Sequence, residues 1–482
     1  MILKRFYDDA LAQASFLVGC DGSHEAIVID PNRDIQQYIQ AAEDAHLRIV
    51  AVTETHIHAD YISGSRELAQ KVGAKVYLSD EGDADWKYGY ASEPNVVLVK
   101  DGDHIRAGSV RLDVMKTAGH TPEHISFLLT DEKASPTPMA AFTGDFIFIG
   151  DCGRPDLLER AAGFKGTMEA GAKVLFNSLS KFKSFPDSLM LWPSHGAGSA
   201  CGKNLSALPV STLGYEKGSN WALKAGTESE FVNEVLAGQP EPPVYFKMMK
   251  YLNKMGPPIL GGFATPKHLE DKAILDLLKE GKMIIDIRPS EEVVKGFIPG
   301  VIHIPLVGSF TTWAGWFCSY DEPLYFLSPD EESAKQAVKR LAMIGLDKVG
   351  GWFGPGAIAA FTASGGQLEN MKQIDAATAA AKFKSKEVEI VDVRGAGEYS
   401  EAHIPGARNI HLGTLPSRHK ELSEDRPLVV HCQGGVRSLT GMTVLRKLGH
   451  KNLINMTDGF WEYNQLGLPV ATGAEAQSPA NV

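Results

Sequence analysis

Two stretches of the C-terminal half repeat each other at a fixed spacing of 106 residues, and that spacing limits what the chain can fold into. Ile284-Ile285-Asp286-Ile287-Arg288 is answered by Ile390-Val391-Asp392-Val393-Arg394, and Phe297-Ile298-Pro299-Gly300 by His403-Ile404-Pro405-Gly406. Pro323-Leu324-Tyr325-Phe326 corresponds to Pro427-Leu428-Val429-Val430, and Lys348-Val349-Gly350-Gly351-Trp352 to the segment from Leu453 to Trp461. A repeat of about 100 residues is the size of a domain and too long for a solenoid unit. A chain of 482 residues also exceeds what one core can organise, so about three domains are expected.

The first 240 residues alternate short apolar strands with amphipathic helices. Phe16-Leu17-Val18 and Ala26-Ile27-Val28-Ile29-Asp30 read as a strand pair joined by the turn Cys20-Asp21-Gly22-Ser23, Ile35 to Ala45 as a helix, and Val76-Tyr77-Leu78 and Val96-Val97-Leu98-Val99 as further strands. Residues 241–262 are proline-rich and read as an ordered linker. The repeats are expected over 263–368 and 369–472, with a disordered tail over 473–482.

Composition excludes several classes. A net charge of −11 and no basic run argue against nucleic acid as a partner. No apolar run approaches the roughly 18 residues that would cross a membrane, so none is expected as a partner. Met1-Ile2-Leu3-Lys4-Arg5 carries no signal, lipidation or twin-arginine pattern, and five cysteines suit a reducing compartment, so the cytoplasm is expected.

Chemistry is concentrated in two places. The first is Thr55-His56-Ile57-His58-Ala59-Asp60, which follows the apolar run Ile49-Val50-Ala51-Val52. Imidazole and carboxylate delivered by a strand end suit a first-row divalent metal. A lone His-x-His is commonly a surface or packed pair. Here three later segments join it: Thr117-Ala118-Gly119-His120-Thr121, Thr143-Gly144-Asp145 and Pro193-Ser194-His195-Gly196. In this order the four segments resemble the metallo-β-lactamase superfamily, which implies an αββα sandwich. Binuclear hydrolases of that superfamily carry a histidine directly after the acid, where this chain has Tyr61.

With Gly150-Asp151-Cys152-Gly153-Arg154-Pro155-Asp156 added, the resemblance narrows to the persulfide dioxygenase branch. It implies one Fe(II) per chain held by His56, His120 and Asp145, a two-histidine, one-carboxylate set that leaves positions open for O₂ and substrate. His58, Asp60 and His195 are then expected around the metal, orienting ligands by hydrogen bonds; for the two histidines, the alternative is packed leftovers of a binuclear ancestor. Tyr61 is a poor ligand at neutral pH but can donate to substrate. Arg154 is expected to contact a persulfide anion, or else to pair with Asp156. Cys201 reads in two ways, as a sulfur relay with Lys203 lowering its pKa or as an inert buried thiol. Cys20, Cys152 and Cys318 read as small apolar residues.

The second place is Val429-Val430-His431-Cys432-Gln433-Gly434-Gly435-Val436-Arg437-Ser438. An apolar strand delivers Cys432 into a glycine-rich loop that opens a helix, and backbone N–H groups at such a turn stabilise a persulfide anion. Arg437 adds charge. The C-x4-R spacing is one residue tighter than the C-x5-R cradle of phosphatases. The segment resembles the catalytic loop of rhodanese sulfurtransferases, and the D-x-R and I-P-G signatures of both repeats resemble the rhodanese fold, a small α/β domain with a parallel sheet. In the first repeat Ser328 takes the nucleophile position and Pro329-Asp330-Glu331-Glu332 replaces the glycines, so that copy is expected to be catalytically dead.

These resemblances together imply an α/β multidomain protein: a persulfide dioxygenase domain over 1–240, a degenerate rhodanese-like domain and an active one. The partners implied are a thiol persulfide, O₂, sulfite and thiosulfate; a homo-oligomer remains open. A glyoxalase-II-like zinc thioester hydrolase is the rival for the metal site, and a non-catalytic sulfur carrier for the C-terminal half.

Overall fold

The structure, a computed structural model, describes residues 1–160 and 166–473. Apart from Gly473, the tail expected over 473–482 lies outside the described residues. The chain divides into two compact units, Met1–Phe263 with Ala342–Gly345, and Ala264–Leu341 with Leu346 onward.

In the first unit, β1 (Ile2–Asp8), β2 (Gln13–Cys20), β3 (Glu25–Ile29), β4 (Arg48–Thr53), β5 (Lys75–Ser79) and β6 (Val96–Val99) form one mixed sheet in that order. A second sheet runs β12 (Ser211–Thr212), β11 (Met190–Pro193), β10 (Ala140–Gly144), β9 (Ile125–Asp131), β8 (Val110–Lys116), β7 (His104–Ala107). The central strands β2, β3, β9 and β10 are buried on both faces because both faces are covered, whereas the outer strands β7 and β8 alternate buried with more exposed residues. Phe16 and Val18 of β2 pack between the sheets with Phe127, Leu129 and Phe142. Leu17 points the other way, onto the helices Ile35–Asp44 and Ser65–Val72 through Tyr38 and Leu68. On the far side Leu128 and Leu191 meet Leu175 and Leu179 of the helix Met168–Phe182. Each fully buried leucine or phenylalanine of these layers contributes about 1.5–3 kcal/mol. The result is the expected αββα sandwich.

Residues 241–262, expected as a linker, belong to this unit and contain the helix Phe246–Met255. The prolines stand before and after it, so they delimit the helix without breaking it. Its Asn253 donates to the carbonyls of His58 and Tyr61 and accepts from Ser63 N–H. That side chain satisfies three backbone groups of the loop that carries the histidine motif.

The second unit holds two parallel sheets. One is ordered β14 (Ile302–His303), β13 (Ile284–Asp286), β15 (Leu324–Leu327), β16 (Val349–Phe353). The other is ordered β17 (Lys372–Ile374), β21 (Leu453–Met456), β20 (Leu428–His431), β18 (Glu389–Asp392), β19 (Arg408–Asn409). Read from β14 and from β19 the orders coincide, so β15 is the counterpart of β20, and Ser328 and Cys432 each follow the matching strand. The shared D-x-R signature has a structural cause. Arg288 pairs with Asp286 and Arg394 with Asp392, each at 2.7 Å and buried, and each arginine also donates to a carbonyl of the next turn, Gly296 and Ala402. Among the described residues no helix is long and apolar enough to cross a membrane.

Candidate metal centre and sulfur-transfer loop

The first site is built at the strand ends of the sandwich. Past β4 the chain is anchored by Asp30, which ends β3: its carboxylate accepts from Thr55 N–H at 2.7 Å and from Thr55 Oγ1 at 2.9 Å. With its one proton given to Asp30, Thr55 Oγ1 accepts from His56 Nδ1 at 3.0 Å. That protonates Nδ1 and leaves the lone pair of His56 on Nε2. His120 Nδ1 donates to the Arg154 carbonyl at 3.0 Å and His195 Nδ1 to the Ala12 carbonyl at 3.0 Å, with the same consequence. His56 and His120 therefore present Nε2 lone pairs, and His195 turns its Nε2 toward the same place.

Those lone pairs converge on Asp145, which follows β10. His120 Nε2 lies 3.6 Å from Asp145 Oδ2, His56 Nε2 3.9 Å from the same oxygen, and His195 Nε2 3.4 Å from Oδ1. Among the described residues neither Asp145 oxygen has a hydrogen-bond partner, although the residue is wholly buried. An unpaired buried carboxylate is costly. The spacings fit a shared cation: two ligands each about 2.1 Å from an ion lie up to about 4.2 Å apart. Burial, then the neighbouring imidazoles, keeps His56 and His120 far below the usual histidine range, so both are neutral as ligands must be. The donor set of His56, His120 and Asp145 thus fits a divalent metal. Gly153 permits the packing behind it, since a Cβ there would overlap the Asp145 carbonyl.

A second group adjoins the first. Asp60, His195 and Cys201 bring one ligand atom each within 4.8 Å of one another, with His195 Nε2 3.3 Å from Asp60 Oδ2. Cys201 is buried, and burial, with Asp145 and Asp60 adding to it, pushes its thiol well up. Lys203 does not oppose this, because its ammonium is bound to Glu234 at 2.8 Å. The expected lowering of the Cys201 pKa by Lys203 is therefore corrected. A tyrosine at position 61 also does not empty the second position of donors: Asp60, His195 and Cys201 remain.

Three other expected site residues turn away. His58 Nε2 donates to Asp30 Oδ1 at 3.1 Å; burial opposes its charge, but Asp30 outweighs burial and raises its pKa to about 9. A protonated imidazole is an ion-pair partner and cannot act as a ligand. Tyr61 is buried with its hydroxyl donated to the Asp30 carbonyl at 3.2 Å, which leaves no donor for substrate. Arg154 is fully buried, forks onto Asp156 at 2.9 and 2.7 Å and donates to the carbonyls of Ala200 and Pro240. It fixes the loop before Cys201 and offers nothing to a substrate anion. The structure also adds Asp30 and His124, which sequence reasoning missed. His124 Nε2 accepts from Asp145 N–H at 3.0 Å. The only signal for Asp30 was an acid ending an apolar strand before Pro31.

The second site lies in the second unit. Cys432 follows β20, is 2% exposed, and its Sγ accepts from Gly435 N–H at 3.1 Å. The helix Val436–Lys447 begins there. Arg437 forks onto Glu398 with two bonds of 2.7 Å. In the counterpart position Ser328 is buried and donates to the Asp330 carbonyl at 2.7 Å.

Comparison with known proteins agrees with this division. The family model of the metallo-beta-lactamase superfamily matches residues 8–195, and that of the rhodanese-like domain matches 270–352 and 375–466. A crystal structure of a metallo-beta-lactamase from Staphylococcus aureus subsp. aureus COL is 40% identical, with a TM-score of 0.66, over 73% of this chain and 98% of that one. The chain belongs to the metallo-beta-lactamase superfamily. Its first unit is similar to the mitochondrial persulfide dioxygenase ETHE1 of Bos taurus, 28% identical over 237 residues, which is 48% of this chain and 79% of the relative. A hydroxyacylglutathione hydrolase of Synechococcus sp. (strain CC9605) is 30% identical over 172 residues, 36% of this chain and 61% of that protein. The protein is therefore a metallo-beta-lactamase domain with persulfide dioxygenase homology joined to two rhodanese-like domains.

Proposed function

We propose that the chain is a persulfide dioxygenase fused to a rhodanese sulfurtransferase. A low-molecular-weight thiol persulfide, O₂ and water give the thiol and sulfite, and Cys432 passes sulfane sulfur to sulfite to give thiosulfate. The observation that carries the first half is the wholly buried Asp145 carboxylate, without a hydrogen-bond partner among the described residues and faced by two neutral imidazoles. His56, His120 and Asp145 would hold one Fe(II) per chain, which when bound supplies O₂ binding and redox capacity that Zn²⁺ lacks. The protein's own part is to hold the ligands. The Asp30–Thr55–His56 relay and the Arg154 and Ala12 carbonyls orient the imidazoles, while Asp60, His195 and Cys201 line the side from which the substrate sulfur approaches.

At the second site the thiolate of Cys432 attacks the outer sulfur of a persulfide. The S–S bond breaks, the thiol leaves as thiolate, and Cys432-S-S⁻ remains, held by Gly435 N–H and the helix N-terminus. Having both sites on one chain raises the effective concentration of sulfite near its acceptor. The biological sense is sulfide detoxification or oxidation. A first domain that includes residues 241–262, repeats over 263–368 and 369–472, a cytoplasmic location and a dead Ser328 repeat complete the proposal.

The group Asp60, His195 and Cys201, together with the likeness to hydroxyacylglutathione hydrolases, favours a second reading, a binuclear zinc thioester hydrolase. Metal quantification after anaerobic purification, with O₂ uptake on a panel of persulfides, separates them. One iron per chain with persulfide-dependent O₂ uptake supports the dioxygenase. Two zincs with thioester hydrolysis and no O₂ uptake defeat it.

A further inference from the structure

The degenerate repeat has no nucleophile, yet it is packed against the helix that carries the active loop. Ser438 through Leu445 of the helix Val436–Lys447 are buried without interruption, so no face of that stretch is left for solvent. One neighbour lies in the first repeat: Thr443 Oγ1 accepts from His303 N–H at 3.0 Å. The first repeat also sends a helix rich in aromatic residues, Phe310–Phe317, toward the active domain. Trp313 and Trp316 lie with their rings 5.7 and 5.3 Å from the ring of His411. Gly413 makes room for this, because a Cβ there would overlap the Trp316 indole.

His411 follows β19 at the edge of the sheet from which Cys432 also emerges. The bonds Ile410 N–H to the Asp392 carbonyl and Leu412 N–H to the Val393 carbonyl fix its backbone. Burial, and then the charge of Arg437, lowers its pKa to about 4, so the ring is neutral and retains one N–H. Two buried polar atoms here have no hydrogen-bond partner among the described residues: Trp313 Nε1 and His411 Nδ1. Trp313 is 8% exposed, so its N–H is not satisfied by bulk water. Trp313 Nε1 is a donor, His411 Nδ1 is one in the tautomer that carries the ring proton there, and the two stand together beside Arg437, where a ligand with acceptor oxygens would satisfy both. Arg437 uses one hydrogen of each terminal nitrogen on Glu398, and a guanidinium has further N–H groups to give.

We propose that the degenerate repeat supplies one wall of an oxyanion subsite beside Cys432, in which Trp313 Nε1–H, His411 Nδ1–H and Arg437 hold sulfite for attack on the persulfide. This rests on the sulfur-transfer reading above. The sulfur lone pair of SO₃²⁻ forms a bond to the outer sulfur of Cys432-S-S⁻. The S–S bond breaks, and its electron pair returns to Cys432 as thiolate. Three negative charges enter and three leave, as Cys432-S⁻ and S₂O₃²⁻, with no proton or external electron needed. Three oxygens on the acceptor match three donors of the wall. The geometry thereby gives the first repeat a chemical role: it selects an oxyanion acceptor.

The test uses the full-length protein and two acceptors, sulfite and cyanide, the latter having no oxygen to be recognised. Trp313→Phe keeps the ring and removes only the N–H. It should raise the KM for sulfite about tenfold, the size of one hydrogen bond to a charged group, and leave the KM for cyanide unchanged. An equal rise for both acceptors, or for neither, overturns the proposal. Should Trp313→Phe fail to fold by circular dichroism, His411→Ala is read by the same split. Sulfite titrated into Cys432→Ser protein by calorimetry gives a second readout that needs no turnover. Binding weakened about tenfold by adding Trp313→Phe supports the subsite even if the wild type makes no thiosulfate, which would defeat the sulfur-transfer reading alone. Binding of sulfite unaffected by Trp313→Phe defeats the subsite.

Discussion

The metal centre in the first unit and the Cys432 loop in the second handle buried charge in opposite ways. At the metal centre Asp145 keeps both oxygens without a hydrogen-bond partner among the described residues, as do Asp60 Oδ2 and His195 Nε2 beside it. At the Cys432 loop the ionic groups are matched within the protein: Arg437 with Glu398, Arg394 with Asp392, and Sγ with Gly435 N–H. The first arrangement is complete only with a cation, since buried charge without a partner is expensive. The second needs nothing but the chain. The metal centre leaves its anionic ligand unpaired, whereas the Cys432 loop pairs its charged groups and leaves only neutral atoms, Trp313 Nε1 and His411 Nδ1, without a partner among the described residues.

The sharpest break of this comparison is to remove one site at a time. Asp145→Ala or His120→Ala should abolish bound metal and O₂ uptake while leaving persulfide-to-sulfite transfer by Cys432 intact; loss of both activities in folded protein would show that the sites are not separate. Conversely, Cys432→Ser should reduce thiosulfate formation to the no-enzyme rate, because a serine hydroxyl cannot form a persulfide. O₂ uptake should stay near normal, with sulfite released in place of thiosulfate. Enzymatic thiosulfate from this variant would move the transfer to another thiol, Cys201 first.

A smaller effect is expected from pH. Burial first, and Asp60 in addition, raises the Asp145 pKa to about 6 in the metal-free protein. A carboxylate must lose its proton to bind a cation. The apparent affinity for metal should therefore be at its full value at neutral pH and fall about tenfold per pH unit below about 6, measured by metal titration at a series of fixed pH values. The Cys432 loop imports no cation, so persulfide-to-sulfite transfer should not follow that titration. An apparent affinity that stays flat from pH 7 to pH 5 would contradict the assignment of Asp145.

Next in size is Asp30→Asn. It removes the charge that holds Thr55 and His58 and so loosens the tautomer of His56, for which a loss of about 10- to 100-fold in metal affinity is expected. The smallest is Ser328→Ala, which deletes the bond to the Asp330 carbonyl at a cost of about 1 kcal/mol and should leave sulfur transfer unchanged. A measurable loss of thiosulfate turnover would show that the two repeats are not equivalent in the way their sheet orders indicate.

Both sites are largely legible in the amino-acid sequence. His56, His120 and Asp145 each stand at or just past a strand end, where side-chain direction is set by the local chain, and their spacing announces a metal site. Cys432 between an apolar strand and a glycine-rich turn is equally local. What failed to read out was direction across the fold. Arg154 lies in the expected loop, but Asp156 and two carbonyls take its guanidinium. His58 and Tyr61 belong to the right motif and face Asp30.

The sequence by itself determined the elements whose chemistry is contained in a few consecutive residues: the apolar strands, the D-x-R pairs, the histidine motif and the cysteine loop. Only the tertiary structure decided which polar groups meet. It gathered Asp60, His195 and Cys201 beside Asp145, made residues 241–262 part of the first unit, and brought Trp313 of one repeat to His411 of the other. The physical reason is that a hydrogen bond or ion pair depends on distance and orientation in space. A partner 183 residues away, as Ala12 is for His195, leaves no trace in local pattern.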